Sequence, residues 1–284
     1  MQRFYPFLFV FLWSTGFIGA KYGLPYAEPL SFLLTRYGFV IGLMTLIALA
    51  TRAPWPQAPM QWLHIAVSGL LVHAVYLGGV FVAIKHGLPA GVTALVVGMQ
   101  PLLTAFGAGW LLGEKVDSRQ WAGLALGFVG VALVVSGKFG DAGALGPMLL
   151  PAVIALLGIT AGTLYQKRFC AKFDLRSGAV IQFVPTAIFT AIAVALFEDY
   201  RIEWTGQFSF ALGWLVLVLS IGAISLLNLL IRSGSAVNVA SLFYLTPPMT
   251  AVIAFVIFGE NLTLTASIGM LLAVSGVYLV ARPK

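Results

Sequence analysis

AGVTALVVGMQPLLTAFGAGWLLGEKVDSRQWAGLALGFVGVALVVS, residues 90–136, lies without a gap over AVNVASLFYLTPPMTAVIAFVIFGENLTLTASIGMLLAVSGVYLVAR, residues 236–282, when the chain is slid along itself by 146 residues. Pro101 falls on Pro247, Thr104-Ala105 on Thr250-Ala251, Gly113-Glu114 on Gly259-Glu260, Gly123 on Gly269, and Gly130-Val131 on Gly276-Val277. In all, 14 of 47 positions are identical, about 30%. An apolar alphabet gives some matches by chance, but an aligned Pro, a Gly-Glu pair and two Gly residues ask for a common origin. The same offset sets Gly16 on Gly162 and Lys21 on Lys167.

The rest of the sequence says what is repeated. Of the 284 residues 60% are hydrophobic and 9% charged, and the mean hydropathy is +1.00. A water-soluble domain carries about 25% charge, and a folded surface cannot hide this much apolar matter from water. A bilayer can solvate it. Windows of about 20 apolar residues give ten helices, running approximately over Phe4–Tyr22, Pro29–Ala50, Trp62–Ile84, Pro89–Leu112, Gln120–Ser136, Pro147–Gln166, Gly178–Phe197, Phe208–Ile231, Val237–Phe258 and Thr263–Ala281. The N-terminal segment reads as a retained first helix rather than a cleaved signal. The expected fold is an all-α integral membrane protein: residues 1–137 hold the first five helices and residues 138–284 the second five. An odd number per unit makes the halves insert with opposite orientation, the arrangement of secondary transporters with a site near the midplane.

Loop charges orient the bundle. With the N-terminus in the cytoplasm, the inner loops and tails hold eleven cations: Arg3, Arg52, Lys115, Arg119, Lys167, Arg168, Lys172, Arg176, Arg232, Arg282 and Lys284. The other side holds five: Lys21, Arg36, Lys85, Lys138 and Arg201. The excess places both termini in the cytoplasm, as a multi-pass protein of a bacterial inner (cytoplasmic) membrane. The net charge of +7 does not indicate nucleic acid, because these residues sit between apolar runs and form no single basic face. Cys170 is the sole cysteine, which excludes an internal disulfide or a Cys-based metal cluster. No cofactor or metal is expected.

W-S-T-G-F-I-G-A-K at Trp13–Lys21, Arg36 in the second helix, Pro-x(11)-Gly-Glu in each half and G-x(6)-G in the fifth and tenth helices resemble the EamA-type branch of the drug/metabolite transporter superfamily. The resemblance covers nearly the whole chain. It implies ten helices in two inverted halves and efflux of amino acids or related small metabolites. One departure is Ile159, which stands where the second half would repeat Trp13.

Ionisable groups within membrane helices are costly and are site candidates by default. Lys21 and Arg36 lie near the outer ends of their helices. Either they snorkel to headgroups or they form a gate and anion contact at the outer mouth, with Glu28 within reach. His73 stands halfway along the third helix with Tyr76 on the same face. It is the mid-membrane group through which proton coupling would run, or else a neutral, hydrogen-bonded core residue. Gln100 and Thr104 share a face of the fourth helix, where Pro101 removes a backbone hydrogen bond. Thr246 flanks Pro247 in the ninth, and Tyr244 approaches it. Interrupted helices in matching places point to a transporter site, so Pro101 and Pro247 are candidate hinges. Trp13, Ser14, Tyr165, Gln182 and Asn228 complete a cavity of mixed aromatic and amide character, suited to a neutral or zwitterionic solute. Glu114 and Glu260 read as caps or loop anchors.

The expected activity is therefore secondary transport by alternating access, foremost export of small amino-acid-like metabolites, with a small molecule and the lipid bilayer as partners; the sequence leaves the oligomeric state open and is compatible with a monomer. Import of a vitamin or nucleotide-linked solute on the same fold is the second reading, although an anionic nucleotide would want more cations than Lys21 and Arg36. An intramembrane enzyme is the third. It lacks a deep carboxylate, and three scattered His residues make a poor metal site.

Overall fold

The computed structural model describes residues 4–88, 90–136, 146–170, 172–258 and 262–282. Among them the chain is helical throughout, and the β structure is an isolated antiparallel bridge between Ala27 and Ile202. Ten helices are long and apolar enough to cross a membrane. They are α1 (Tyr5–Gly23), α2 (Pro29–Ala50), α3 (Pro59–Lys85), α4 (Ala90–Val97 and Gln100–Leu112), α5 (Ser118–Ser136), α6 (Gly146–Phe169), α7 (Leu175–Phe197), α8 (Gly206–Ser233), α9 (Ala236–Ser241 and Thr246–Phe258) and α10 (Leu264–Ala281). The ten windows read from hydropathy correspond one to one with these helices.

The helix ends follow local chemistry. Pro stands in the first turn of α1, α2 and α3, where its missing N–H leaves nothing unsatisfied. Asp174, Thr205, Ser235 and Thr263 cap α7 to α10 by accepting a backbone N–H. At α5 the exchange is reciprocal: Gln120 N–H donates to Asp117 Oδ1 at 2.8 Å, and Asp117 N–H to Gln120 Oε1 at 3.1 Å. Gly113 ends α4 at φ +68°, a left-handed conformation that favours glycine. The α2 start is capped from elsewhere: Glu198, just past α7, accepts Leu30 N–H, Ser31 N–H and the Ser31 hydroxyl, each at 2.9 Å.

Two helices depart from α geometry in their middles. Leu70–Leu77 of α3 and Leu215–Ala223 of α8 are π-helical, and the two segments lie 146 residues apart within one position. The broken helices also match. α4 pauses at Gly98-Met99 and restarts at Gln100, whereas α9 tightens to a 3₁₀ turn at Leu242–Leu245 and restarts at Thr246. Packing partners recur at the same offset: α1 on α8 and α9, α6 on α3 and α4, α2 against α7, α4 against α9, and α5 along α10.

The α5–α10 contact is backbone on backbone. A Cβ at Gly130 would stand 2.4 Å from Ala273 N, and one at Gly276 would stand 2.5 Å from Gly123 O and Gly127 N. Small residues permit such approach between membrane helices, where dispersion contacts replace the hydrophobic drive. Gly130→Val and Gly276→Val are expected to separate these helices and to lower the thermal midpoint in detergent, with overpacking costing about 1–3 kcal/mol or more. Gly38→Ala and Gly42→Ala, whose Cβ atoms would meet nothing within 4 Å, are expected to leave it unchanged.

Candidate functional site

The two π-helical segments face one cavity. Its lining includes Trp13, Gly16 and Ala20 from α1, Arg36 from α2, Tyr76 and Leu77 from the first π segment, and Leu215 and Leu219 from the second. A π turn adds a residue to the helical ladder and is often found where function demands an irregular backbone. Here it presents Tyr76 from one side and the leucines from the other. Trp13 and Tyr76 lie parallel, ring centroids 6.3 Å apart at 11°, and Phe243 meets Trp13 edge-on at 5.3 Å. The cavity holds about 40 Å³, room for roughly one or two waters. The cavity is thus narrow between its lining side chains.

Arg36 is the charge in this cavity. Only 3% of it is exposed, and its Nε donates to Ser220 Oγ at 2.9 Å. Among the described residues no carboxylate lies within ion-pair distance of it. Glu28 pairs instead with Lys85 at 3.3 Å, and Glu198 is spent on the α2 cap. Arg36 is therefore buried in the bundle rather than snorkelling to headgroups, because its position in α2 turns it inward. The Lys21 side chain and Glu260 lie outside the described residues.

The other candidates fall into separate groups. Ser14, beside Trp13, turns toward α9: its hydroxyl donates to Val10 O at 2.6 Å and Thr246 O at 3.2 Å, and the Thr250 hydroxyl donates to Ser14 O at 3.3 Å. Gln100, Thr104, Tyr244 and Thr246 are buried at the breaks of α4 and α9, with side-chain polar atoms that lack hydrogen-bond partners among the described residues. Pro101 and Pro247 stand second in the segments that restart after each break. Asn228 accepts from Gln166 Nε2 at 2.8 Å, and Gln182 Nε2 donates to Ser68 Oγ at 3.1 Å. Tyr165 leaves the group altogether, bonding His64 Nδ1 at 2.7 Å near the far end of α6. His73 is stacked on Phe183, centroids 4.2 Å apart at 14°, and does not line the cavity. Its carbonyl accepts the Tyr37 hydroxyl at 2.7 Å.

Sequence reading missed Ser220, Leu215 and Leu219. All three sit in an unbroken apolar run of α8, where hydropathy gives no azimuth. The signal that could have found them is the 146-residue offset, which lays that run on the stretch of α3 containing His73 and Tyr76.

A model of the EamA-like transporter family matches residues 4–136 and again 146–282. The chain belongs to that family. It is therefore a multi-pass membrane transporter and not an enzyme. Among similar EamA-like proteins, an uncharacterized transporter, YvbV, of Bacillus subtilis is 29% identical over 95% of this chain and 88% of its own. An uncharacterized inner membrane transporter, YedA, of Escherichia coli is 26% identical over 98% and 90%. A probable amino-acid metabolite efflux pump of Salmonella typhimurium is 25% identical over 97% and 93%. A solved crystal structure with 21% identity shares the fold, with a TM-score of 0.80 over 99% of this chain and 96% of that one.

The apolar stack around His73 generates a test of proton coupling. His73→Gln is expected to leave the pH dependence of transport by this EamA-like protein unchanged in proteoliposomes. A flattened or displaced pH profile would restore His73 as a proton carrier.

Proposed function

We propose that this transporter exports small amino-acid-like metabolites across a bacterial inner membrane, with both termini in the cytoplasm, by alternating access between two inverted five-helix halves. The observation that carries the reading is Arg36: a buried guanidinium without a carboxylate partner among the described residues, set in a cavity walled by Trp13 and Tyr76. A buried charge is costly unless it is paired. A solute carboxylate supplies the missing partner and matches the planar fork of the guanidinium. The aromatic and leucine walls suit an apolar side chain. The name of the Salmonella relative, a probable amino-acid metabolite efflux pump, points the same way.

A cavity of about 40 Å³ cannot admit such a solute as it stands, so binding must spread the lining. The π segments of α3 and α8 and the breaks of α4 and α9 are where regular helix hydrogen bonding is already relaxed, and the reading assigns the movement to them. The cavity is lined within one chain, and one copy suffices.

Arg36→Gln is expected to lower saturable flux of the best amino acid in a radiolabelled panel by roughly ten- to a hundredfold, the scale of a hydrogen bond to a charged group, with folding retained by size exclusion. Flux equal to the parent's would remove the carboxylate reading. Pro101→Ala and Pro247→Ala are expected to slow exchange more than they weaken binding, because the kinks they maintain serve motion rather than contact. If both variants exchange at the parent rate, the hinge assignment fails.

A further inference from the structure

The turn between α8 and α9 is held from two sides by charged side chains that the transport reading leaves unused. Lys167, near the end of α6, donates from Nζ to Ile231 O at 2.8 Å and to Gly234 O at 2.5 Å. Those carbonyls are among the last of α8, where the unsatisfied C=O groups and the negative end of the helix dipole favour a cation. Glu114, just past α4, accepts Ala236 N–H on Oε1 at 3.0 Å. That N–H is among the first of α9, where the positive end of the dipole favours an anion. One cation and one anion thus meet the two helix ends of complementary sign, across a connection of two residues, Gly234 and Ser235.

The two side chains come from different halves of the sequence. Glu114 belongs to the first repeat and Lys167 to the second, while the turn they grip joins α8 to α9 of the second. The contact between Gln166 and Asn228 lies immediately beside Lys167 and continues the seam between α6 and α8 toward the cavity. α8 also carries Leu215, Leu219 and Ser220, which face Arg36. A grip on the α8–α9 turn therefore fixes the end of the helix whose middle lines the cavity.

We propose that Lys167 and Glu114 are gating residues of the transport cycle: together they latch the face of the protein that carries the α8–α9 turn, and they release the turn when that face opens. The proposal rests on alternating access but not on the solute or on Arg36. Each bond is charge-assisted, hence stronger than a neutral one, and each runs to a backbone group at a helix end rather than to a side chain of opposite charge.

The proposal is tested by cysteine accessibility. Cys170, the chain's one cysteine, is replaced by Ser, and a single cysteine is placed in the cavity as Leu219→Cys. A Thr51→Cys reporter, in the loop after α2, identifies membrane vesicles that display the same face as the α8–α9 turn. In those vesicles Lys167→Met and Glu114→Ala are each expected to raise labelling of the cavity cysteine by an impermeant maleimide at least about tenfold, the order set by losing the two charge-assisted hydrogen bonds of Lys167 or the one of Glu114. In vesicles of the opposite orientation labelling is expected to fall. Lys167→Arg, which keeps the donor charge, is expected to restore most of the parent pattern. Labelling raised equally from both faces would make the pair a structural staple and overturn the proposal, as would labelling unchanged from either face. If Lys167→Met does not fold, Lys167→Gln and Glu114→Gln replace the two variants under the same criteria. Parental amino-acid flux in Arg36→Gln with the latch behaviour intact would overturn the carboxylate assignment and leave the latch standing.

Discussion

Hydrocarbon offers the peptide backbone no hydrogen-bond partner, and this constraint governs where the chain can be irregular. Nearly every backbone N–H and C=O within the membrane has to be satisfied inside its own helix. Interruptions are tolerated where protein or a water-filled cavity replaces the lost bonds. α4 and α9 break at matching levels and pack on each other. The Ser14 hydroxyl reaches Thr246 O at one break, and the Thr250 hydroxyl returns a bond to Ser14 O. The broken level is therefore laced to α1, the helix that carries Trp13. Irregular backbone and aromatic lining are coupled through a single serine position.

Charge obeys the same economy. Burying Arg36 is tolerable because Ser220 accepts from its Nε, and Ser220 can reach it because the π segment of α8 rotates that part of the helix relative to a regular ladder. The remainder of the lining is apolar or aromatic, so the guanidinium dominates the local field. Elsewhere, the described acids sit at helix ends: Glu198 on α2, Glu114 on α9, Asp174 on α7. Asp174 is held below the usual carboxylate range chiefly by its hydrogen bond from Arg176. These three carboxylates serve helix termini, and among the described residues Arg36 is the buried cation.

Much of this was legible in the sequence. Ten helices followed from apolar windows, because spanning length is fixed by the bilayer and not by tertiary contacts. The breaks of α4 and α9 follow from Pro101 and Pro247, and the Gly-Glu pair marks Glu114 as a cap or loop anchor. What was not legible was azimuth and distance. A hydropathy window locates Arg36 along α2 but cannot tell whether it faces lipid or bundle. His73 and Tyr76 share a face in a regular helix, yet the π turn at Leu70–Leu77 sends Tyr76 to the cavity and His73 to Phe183. The target of Glu114, a backbone N–H 122 residues away, leaves no trace in composition. Tyr165 was grouped with the cavity on residue type alone, and its partner His64 lies on a helix that the one-dimensional pattern does not join to α6.

A π turn is the footprint of one residue added to a helix without refolding it. Such an addition at Leu70–Leu77 and another at Leu215–Ala223, in register at 146 residues, are explained by a single event in the chain that was later duplicated. Both halves carry the irregularity, and the two π turns enclose one space. The family model matches each half, and the backbone of the shared space is alike in the two halves while its side chains differ. Trp13 against Ile159 and Arg36 against Gln182 are the record of that divergence, an aromatic wall and a charge kept on one side only.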